Sequence, residues 1–270
     1  MNYLNDMFSL AGKTAVVTGG GGVLCSIIGS AFAKAGANVI LWDIRQEGLD
    51  EKVKVLAQAC GDPTRVSSVK VDLLNEDSVK QALEKSVSLY GKVDILLNGA
   101  GGNKGKAFLT EAKIEDVEFV LKLNLLAGCI IPSKHFTSYW IKNKVKGAII
   151  NIASMAGLNP LSEVYGYSMA KAAVINQTVN MAKELAPHGI RVNSIAPGFF
   201  IADQNRALLL NPDGSLTARG KAVIAHTPYG RFGEPDELSG ACIFLASDNA
   251  AGFVSGINIA IDGAYMAFNI

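Results

Sequence analysis

The sequence predicts a single α/β domain built on a doubly wound, parallel seven-stranded sheet with helices on both faces. Three observations predict it. Short apolar runs that read as buried strands alternate with helical patterns seven times along residues 1–270. A run of glycines, Gly19 to Gly22, separates the first strand from the first helix. Asp43, Asp72, Asn98, Ser154 and Pro197 all fall at the carboxyl ends of strands, where an open parallel sheet binds its ligand. No repeat, linker or low-complexity stretch divides the chain, and 49% hydrophobic residues suffice for one large core.

Taken in order, residues 13–18 form the first strand, Gly19 to Gly22 a tight loop, and residues 23–34 a helix closed by Gly36. That succession is a phosphate cradle. Amides at a helix N-terminus are unpaired, and glycines let a pyrophosphate approach them, which assigns Gly19, Gly21, Gly22, Val23 and Leu24 to a dinucleotide. Residues 37–42 are the second strand. Asp43 at its end stands 24 residues after Gly19, where a carboxylate accepts from a ribose diol. This favours NAD over NADP, with Arg45 leaving NADP open. Residues 66–71 are the third strand, followed by Asp72 and Leu73, and 75–90 a helix with Asn75 as N-cap.

Residues 93–97 are the fourth strand, running into Asn98-Gly99-Ala100-Gly101-Gly102-Asn103, and 114–143 are mostly helical, carrying Asn124 among leucines. Residues 148–153 make a buried fifth strand ending at Ser154, and the pattern turns helical from Ser162. Residues 190–196 form the sixth strand, ending in Pro197-Gly198. The insertion 203–235, broken by Pro212, Gly214 and Pro228, is long enough to be a lid. Residues 235–246 are a helix and 257–261 the last strand.

Charge narrows the function. With 25 basic and 24 acidic residues, net +1, the chain has no field to attract nucleic acid or an anionic membrane, so a small-molecule substrate is expected. Residues 14–33 carry no charge over a bilayer-spanning length, yet their glycines and split apolar pattern read as strand, loop and helix. Cys25, Cys60, Cys129 and Cys242 are too scattered for a zinc site or disulfide scaffold, so no metal is expected. A reducing cytoplasm fits, and the N-terminus does not read as a signal peptide.

Tyr167 and Lys171 are four apart and so share one helix face, where a phenol of ordinary pKa ~10 could become a usable acid/base beside an ammonium. Ser154 could hydrogen-bond the same reacting oxygen. Ser154, Tyr167 thirteen residues on and Lys171 four beyond resemble the active site of the short-chain dehydrogenases/reductases, a family with a Rossmann fold. The resemblance implies hydride exchange between a nicotinamide and a carbinol or ketone carbon, with Tyr167 as acid/base, Ser154 orienting the oxygen and Lys171 lowering the phenol's pKa and binding ribose. It makes Asn124 the fourth member, relaying the proton outward. It also places Asp72 and Leu73 by the adenine, Asn98, Ala100 and Gly101 along the cofactor, Tyr167 against the cofactor as well as the substrate, and Pro197 and Gly198 beside the nicotinamide.

The loop Thr18-Gly19-Gly20-Gly21-Gly22-Val23-Leu24-Cys25 resembles the family's Thr-Gly-x-x-x-Gly-x-Gly, departing at Val23 and Cys25. Cys25 could be an activated thiol at a helix N-terminus or a small packing residue. Gly99 replaces the second asparagine of Asn-Asn-Ala-Gly, and Ala202 a common threonine. The stretches 98–103, 197–207 with 211–215, and 225–233 resemble the family's sugar-acid branch, which implies D-fructuronate and D-mannonate as the substrate pair. Arg206 is the expected carboxylate donor, since its planar fork suits bidentate binding, with Asn103, Lys104, Asn205 and His226 as further contacts. Other readings are another sugar acid such as 5-ketogluconate, a steroid or an acyl thioester, or a dinucleotide sensor without catalysis. The family also implies a homotetramer.

Overall fold

The computed structural model describes residues 3–268. Seven parallel strands form one sheet: β1 (Thr14–Thr18), β2 (Asn38–Asp43), β3 (Val66–Lys70), β4 (Ile95–Asn98), β5 (Ala148–Ile152), β6 (Arg191–Pro197) and β7 (Asn258–Ile261). Their order is β3-β2-β1-β4-β5-β6-β7, so the chain reverses direction across the sheet between β1 and β4, the place where such sheets open a ligand crevice. The strands read as ending at residues 42, 97 and 196 each run one residue further. Asp43 pairs Lys70, Asn98 pairs Asn151 and Pro197 pairs Ile261, so the polar strand-end residues still belong to the ladder.

The helices are α1 (Tyr3–Phe8), α2 (Val23–Lys34), α3 (Gln46–Cys60), α4 (Glu76–Tyr90), α5 (Ile114–Leu121), α6 (Ile131–Asn143), α7 (Tyr165–Leu185), α8 (Asp203–Leu209), α9 (Ala218–Ala225), α10 (Ser239–Ala246) and α11 (Asp248–Ala251). α3 was not anticipated, although Leu49, Val53 and Leu56 fall on one helical face. Asn75 caps α4 as expected, accepting from the Ser78 amide at 3.1 Å. The helix expected from Ser162 starts only at Tyr165, because Glu163 takes a left-handed conformation with φ 67°.

Alternating side chains send the strands' apolar residues to opposite faces. Val17, Leu41, Leu97 and Ile150 pack with Phe32, Leu49 and Leu245, whereas Val16, Ile40, Leu96 and Ile149 pack with Val79, Phe136 and Trp140. On that second face Trp42, Phe136 and Trp140 meet edge to face at 5.4 and 5.7 Å, a geometry worth ~0.5–1.5 kcal/mol per pair beyond burial. Both indoles are satisfied, Trp140 Nε1 donating to the Val93 carbonyl at 2.7 Å and Trp42 Nε1 to Ser86 Oγ at 3.0 Å. Among the described residues no helix is long and apolar enough to cross a membrane.

Between α5 and α6 the backbone widens into a π-helix, Lys122–Ile130. Such turns mark functional sites, and this one carries Asn124. Gly128 lets it touch the β4 end: a Cβ there would clash with the Ala100 carbonyl.

Candidate active site

The glycine run is packed, not loose. Gly20 donates its amide to the Trp42 carbonyl at 3.0 Å, Gly21 to Asp43 Oδ2 at 3.1 Å and Gly22 to the Gly19 carbonyl at 2.9 Å. A Cβ on Gly20 would lie 2.8 Å from Leu41 Cβ, and one on Gly21 3.0 Å from Asp43 Oδ2, so the loop lies flat on the end of β2. The amides of α2's first turn remain, behind an N-cap, Gly22, that makes no side-chain bond. Val23 and Leu24 sit there partly exposed. Helix N-terminus, bare cap and a nearby carboxylate together fit a dinucleotide's pyrophosphate and ribose. Asp43 also accepts from the Arg45 amide at 3.0 Å, with the Arg45 guanidinium 3.7 Å away and largely exposed.

The departures at Cys25 and Gly99 prove to be coupled. Cys25 is buried with Sγ 3.6 Å from the Gly99 carbonyl, and a Cβ on Gly99 would collide with that sulfur. Burial pushes the Cys25 thiol up to about 12, so it is a packing residue and not an activated nucleophile. Thr18, not singled out from the sequence as a site residue, organises the same place: its Oγ1 accepts from the Gly99 and Ala100 amides at 3.0 and 3.2 Å and donates to the Leu97 carbonyl at 3.3 Å. A hydroxyl ending an otherwise apolar strand was the available signal.

Asp72 is exposed and accepts from the Leu74 amide at 3.0 Å, while Leu73 turns into the core. Asn98 is buried and donates to Ser133 Oγ and Asn151 Oδ1, both at 2.9 Å; Asn151 in turn donates to Thr178. This chain of amides and hydroxyls ties β4 to β5, α6 and α7, holding the carboxyl ends of the strands in register.

Ser154 closes β5 and caps the turn Met155–Gly157, accepting from the Ala156 amide at 3.2 Å. Its hydroxyl is close enough to Tyr167 on α7 to influence the phenol. Burial raises the Tyr167 phenol above its ordinary value, and the Ser154 hydrogen bond offsets part of that rise. Lys171, one turn on, is buried with Nζ 2.8 Å from the Ile152 carbonyl and 5.6 Å from the centre of the Tyr167 ring. Burial brings Lys171 down to about 8. Cys25 and Cys129, both pushed up to about 12, are neutral thiols at that pH and supply no counter-charge. The expected lowering of the phenol by the ammonium is therefore not seen: the ammonium faces a strand carbonyl, and burial sets the phenol.

The Asn124 side chain is fully engaged. Both of its amide hydrogens are committed, to the Gly102 and Val120 carbonyls at 2.7 and 2.8 Å, and its Oδ1 accepts from the Gly102 amide at 3.1 Å. The side chain braces the loop after β4 instead of presenting a free amide. A Cβ on Gly101 would lie 2.5 Å from Asn124 Oδ1 and 3.5 Å from Lys171 Nζ, so loop, π-helix and α7 converge here.

Pro197 pairs with β7, and the Gly198 amide donates to the Ile261 carbonyl at 2.9 Å, its Cα side pressed against Asp262. Of the residues expected to contact substrate, Asn205 is engaged by its own helix, accepting from the Ala202 amide and donating to the Phe200 carbonyl, both at 2.8 Å. His226 lies against Tyr265 and Phe268, its ring tilted to both, with ring centres 4.7 and 4.5 Å away. Asn103 donates to the Gly105 carbonyl at 2.9 Å, and Lys104 pairs with Asp116 at 2.8 Å while lying over the Phe119 ring. Arg206 is exposed and makes no ion pair among the described residues.

A family model described as enoyl-(acyl carrier protein) reductase matches residues 24–266. An uncharacterized oxidoreductase of Bacillus subtilis is 38% identical over 273 residues, 97% of each chain. A 3-oxoacyl-(acyl-carrier-protein) reductase of Thermotoga maritima is 37% identical over 254 residues, 94% of this chain and 98% of the relative. A crystal structure from Haemophilus influenza, provisionally described as a D-mannonate oxidoreductase with bound NAD, superposes with a TM-score of 0.87 at 35% identity, covering 98% of this chain and 99% of that one. Other solved relatives carry NADP.

Proposed function

The chain belongs to the short-chain dehydrogenase/reductase family, NAD(P)-dependent oxidoreductases acting between alcohol and ketone, and we propose that it interconverts D-fructuronate and D-mannonate with NAD(H). What carries the substrate reading is the likeness, along nearly the whole chain, to the Haemophilus structure described as a D-mannonate oxidoreductase. The preference for NAD(H) is supported by the Asp43 carboxylate held against the Gly21 amide, which would repel a 2′-phosphate.

The bound nicotinamide supplies the hydride acceptor or donor. The protein's part is to hold the carbinol oxygen and move one proton. Tyr167, kept protonated near neutral pH by burial, delivers a proton to the carbonyl oxygen in reduction and withdraws it in oxidation. Ser154, fixed at the strand end, orients that oxygen. Lys171 binds the nicotinamide ribose and takes part in the proton path. Asn124 keeps the loop after β4 in place beside Lys171. Segment 203–235 closes over the substrate as a lid, with Arg206 on its exposed face. The exposed apolar residues Phe119 and Leu126 beside α5, and Met169 and Val179 on α7, support assembly as a homotetramer.

The test is NADH oxidation over a panel of hexulosonates, 3-oxoacyl thioesters and 3-ketosteroids. Turnover with fructuronate at the highest kcat/KM supports this reading. Activity with other hexulosonates but not fructuronate moves it to a different sugar acid, and activity confined to thioesters or steroids overturns it.

A further inference from the structure

A cavity of about 280 Å³ lies between the loop 103–113 and the start of α7, floored by Val117, Val120 and Gly166. Two of its lining residues neighbour site residues: Gly166 immediately precedes Tyr167, and Val120 offers its carbonyl to Asn124. Its walls are about half polar and half apolar, with Lys104 paired to Asp116, Lys106 paired to Glu163, and Glu111 and Lys113 also lining it. The volume sits just below the usual small-molecule range of ~300–1,000 Å³. Alternating cations and carboxylates suit a compact polyhydroxylated anion, whose hydroxyls donate to carboxylates while its carboxylate takes a cation. They suit a wholly apolar acyl chain or steroid less well, since such a ligand would desolvate the charges without pairing them.

The two ion pairs in the wall are not equivalent. Lys104 has two partners, Asp116 at 2.8 Å and the face of Phe119 at 5.3 Å. Lys106 has Glu163 at 2.7 Å, a pair about half exposed on the lysine side, which contributes little and is exchanged at low cost. Glu163 is also held in the left-handed region at φ 67° while its carbonyl accepts from the Ala107 amide at 3.2 Å, so its carboxylate is presented from a strained backbone. Resting on the sugar-acid reading above, we infer that this cavity is the subsite for the carboxylate-bearing arm of the substrate. Lys106 is the counter-ion, and Glu163 is a resident stand-in that the substrate carboxylate displaces.

Exchange makes a prediction that a structural clasp does not: removing the two partners has opposite effects. The full-length enzyme is assayed with NADH against a hexulosonate and against the matching neutral ketohexose, as wild type and as Lys106→Met, Lys106→Arg, Glu163→Gln and Arg206→Ala. Lys106→Met raises KM for the acid ~10- to 100-fold, the worth of one charge-assisted hydrogen bond, with kcat and the neutral ketose within ~2-fold. Lys106→Arg keeps the preference for the acid. Glu163→Gln lowers KM for the acid. The proposal is overturned if Lys106→Met and Glu163→Gln both raise KM, if acid and neutral substrates suffer alike, or if Arg206→Ala alone abolishes the preference. A wild type that reduces no hexulosonate overturns the sugar-acid reading itself, whereas an active wild type with unresponsive variants overturns only the subsite.

Discussion

The glycine loop and the segment 203–235 follow strands in opposite halves of the sheet, β1 and β6, and are held differently. Gly20, Gly21 and Gly22 are fixed by backbone amides bonded to Trp42, Asp43 and Gly19, and the loop excludes side chains. Segment 203–235 adds side-chain clasps to its helices and backbone turns: Asn205 caps α8, Thr217 Oγ1 donates to the Leu208 carbonyl at 2.7 Å, and Arg231 grips Glu237 through both guanidinium nitrogens at 2.7 and 2.8 Å. Arg231 draws the Glu237 carboxyl down to about 2, so this clasp persists at any pH an assay would use. A region made of backbone contacts tolerates little added volume. Segment 203–235, with its separate side-chain clasps, can lose one of them and loosen locally.

The largest effect belongs to Tyr167, which both regions serve. Tyr167→Phe removes the proton donor but no packing, so kcat falls ~10²–10⁴-fold while NADH titrated by fluorescence binds within ~2-fold of wild type. Loss of NADH binding in that variant would recast Tyr167 as a cofactor ligand. Next comes overpacking of the glycine loop. Gly20→Val drives its side chain into Leu41 and costs ~1–3 kcal/mol of stability, read by denaturant titration, together with NADH affinity. Smaller is Asn205→Ala, which loses two hydrogen bonds of ~1 kcal/mol each within segment 203–235. It raises the substrate KM several-fold and leaves NADH affinity unchanged. If Asn205→Ala weakened NADH as much as Gly20→Val does, the contrast between the regions would be wrong.

The smallest effect is on pH. Lys171 is charged below about 8 and neutral above it, so NAD(H) affinity falls as pH rises past that point. Lys171→Arg, which keeps its charge, removes the fall. A pH-independent affinity in the wild type would mean that Lys171 does not hold the cofactor by its charge.

The same contrast explains what could be read in the sequence. Strand ends at Asp43, Asn98 and Pro197, the cap at Asn75 and the Val23–Lys34 helix were legible because local patterns and backbone needs determine them. The packing role open to Cys25 was legible too, but its partner was not: the sulfur fills the space beside Gly99, and only the tertiary structure brings residues 25 and 99 together. The π-helix reads as ordinary helix, since its leucines favour either form and the contact of Gly128 with the Ala100 loop lies far off in sequence. Lys106 and Glu163 could not be paired from the sequence, for nothing local forecasts a glutamate at positive φ. The direction of Tyr167's shift was missed for a similar reason. Spacing shows that Lys171 is near, but not that the Ile152 carbonyl claims its ammonium.

The central claim is direct exchange of hydride between a nicotinamide and the carbinol carbon of a sugar acid, with Tyr167 moving the proton. It is tested by reducing fructuronate with NADH deuterated at C4, on each face in turn, and weighing the product. One face yields product with a single deuterium on the new carbinol carbon and the other yields none, while Tyr167→Phe forms little product of either kind. Equal labelling from both faces, or product without deuterium from either, would contradict the account.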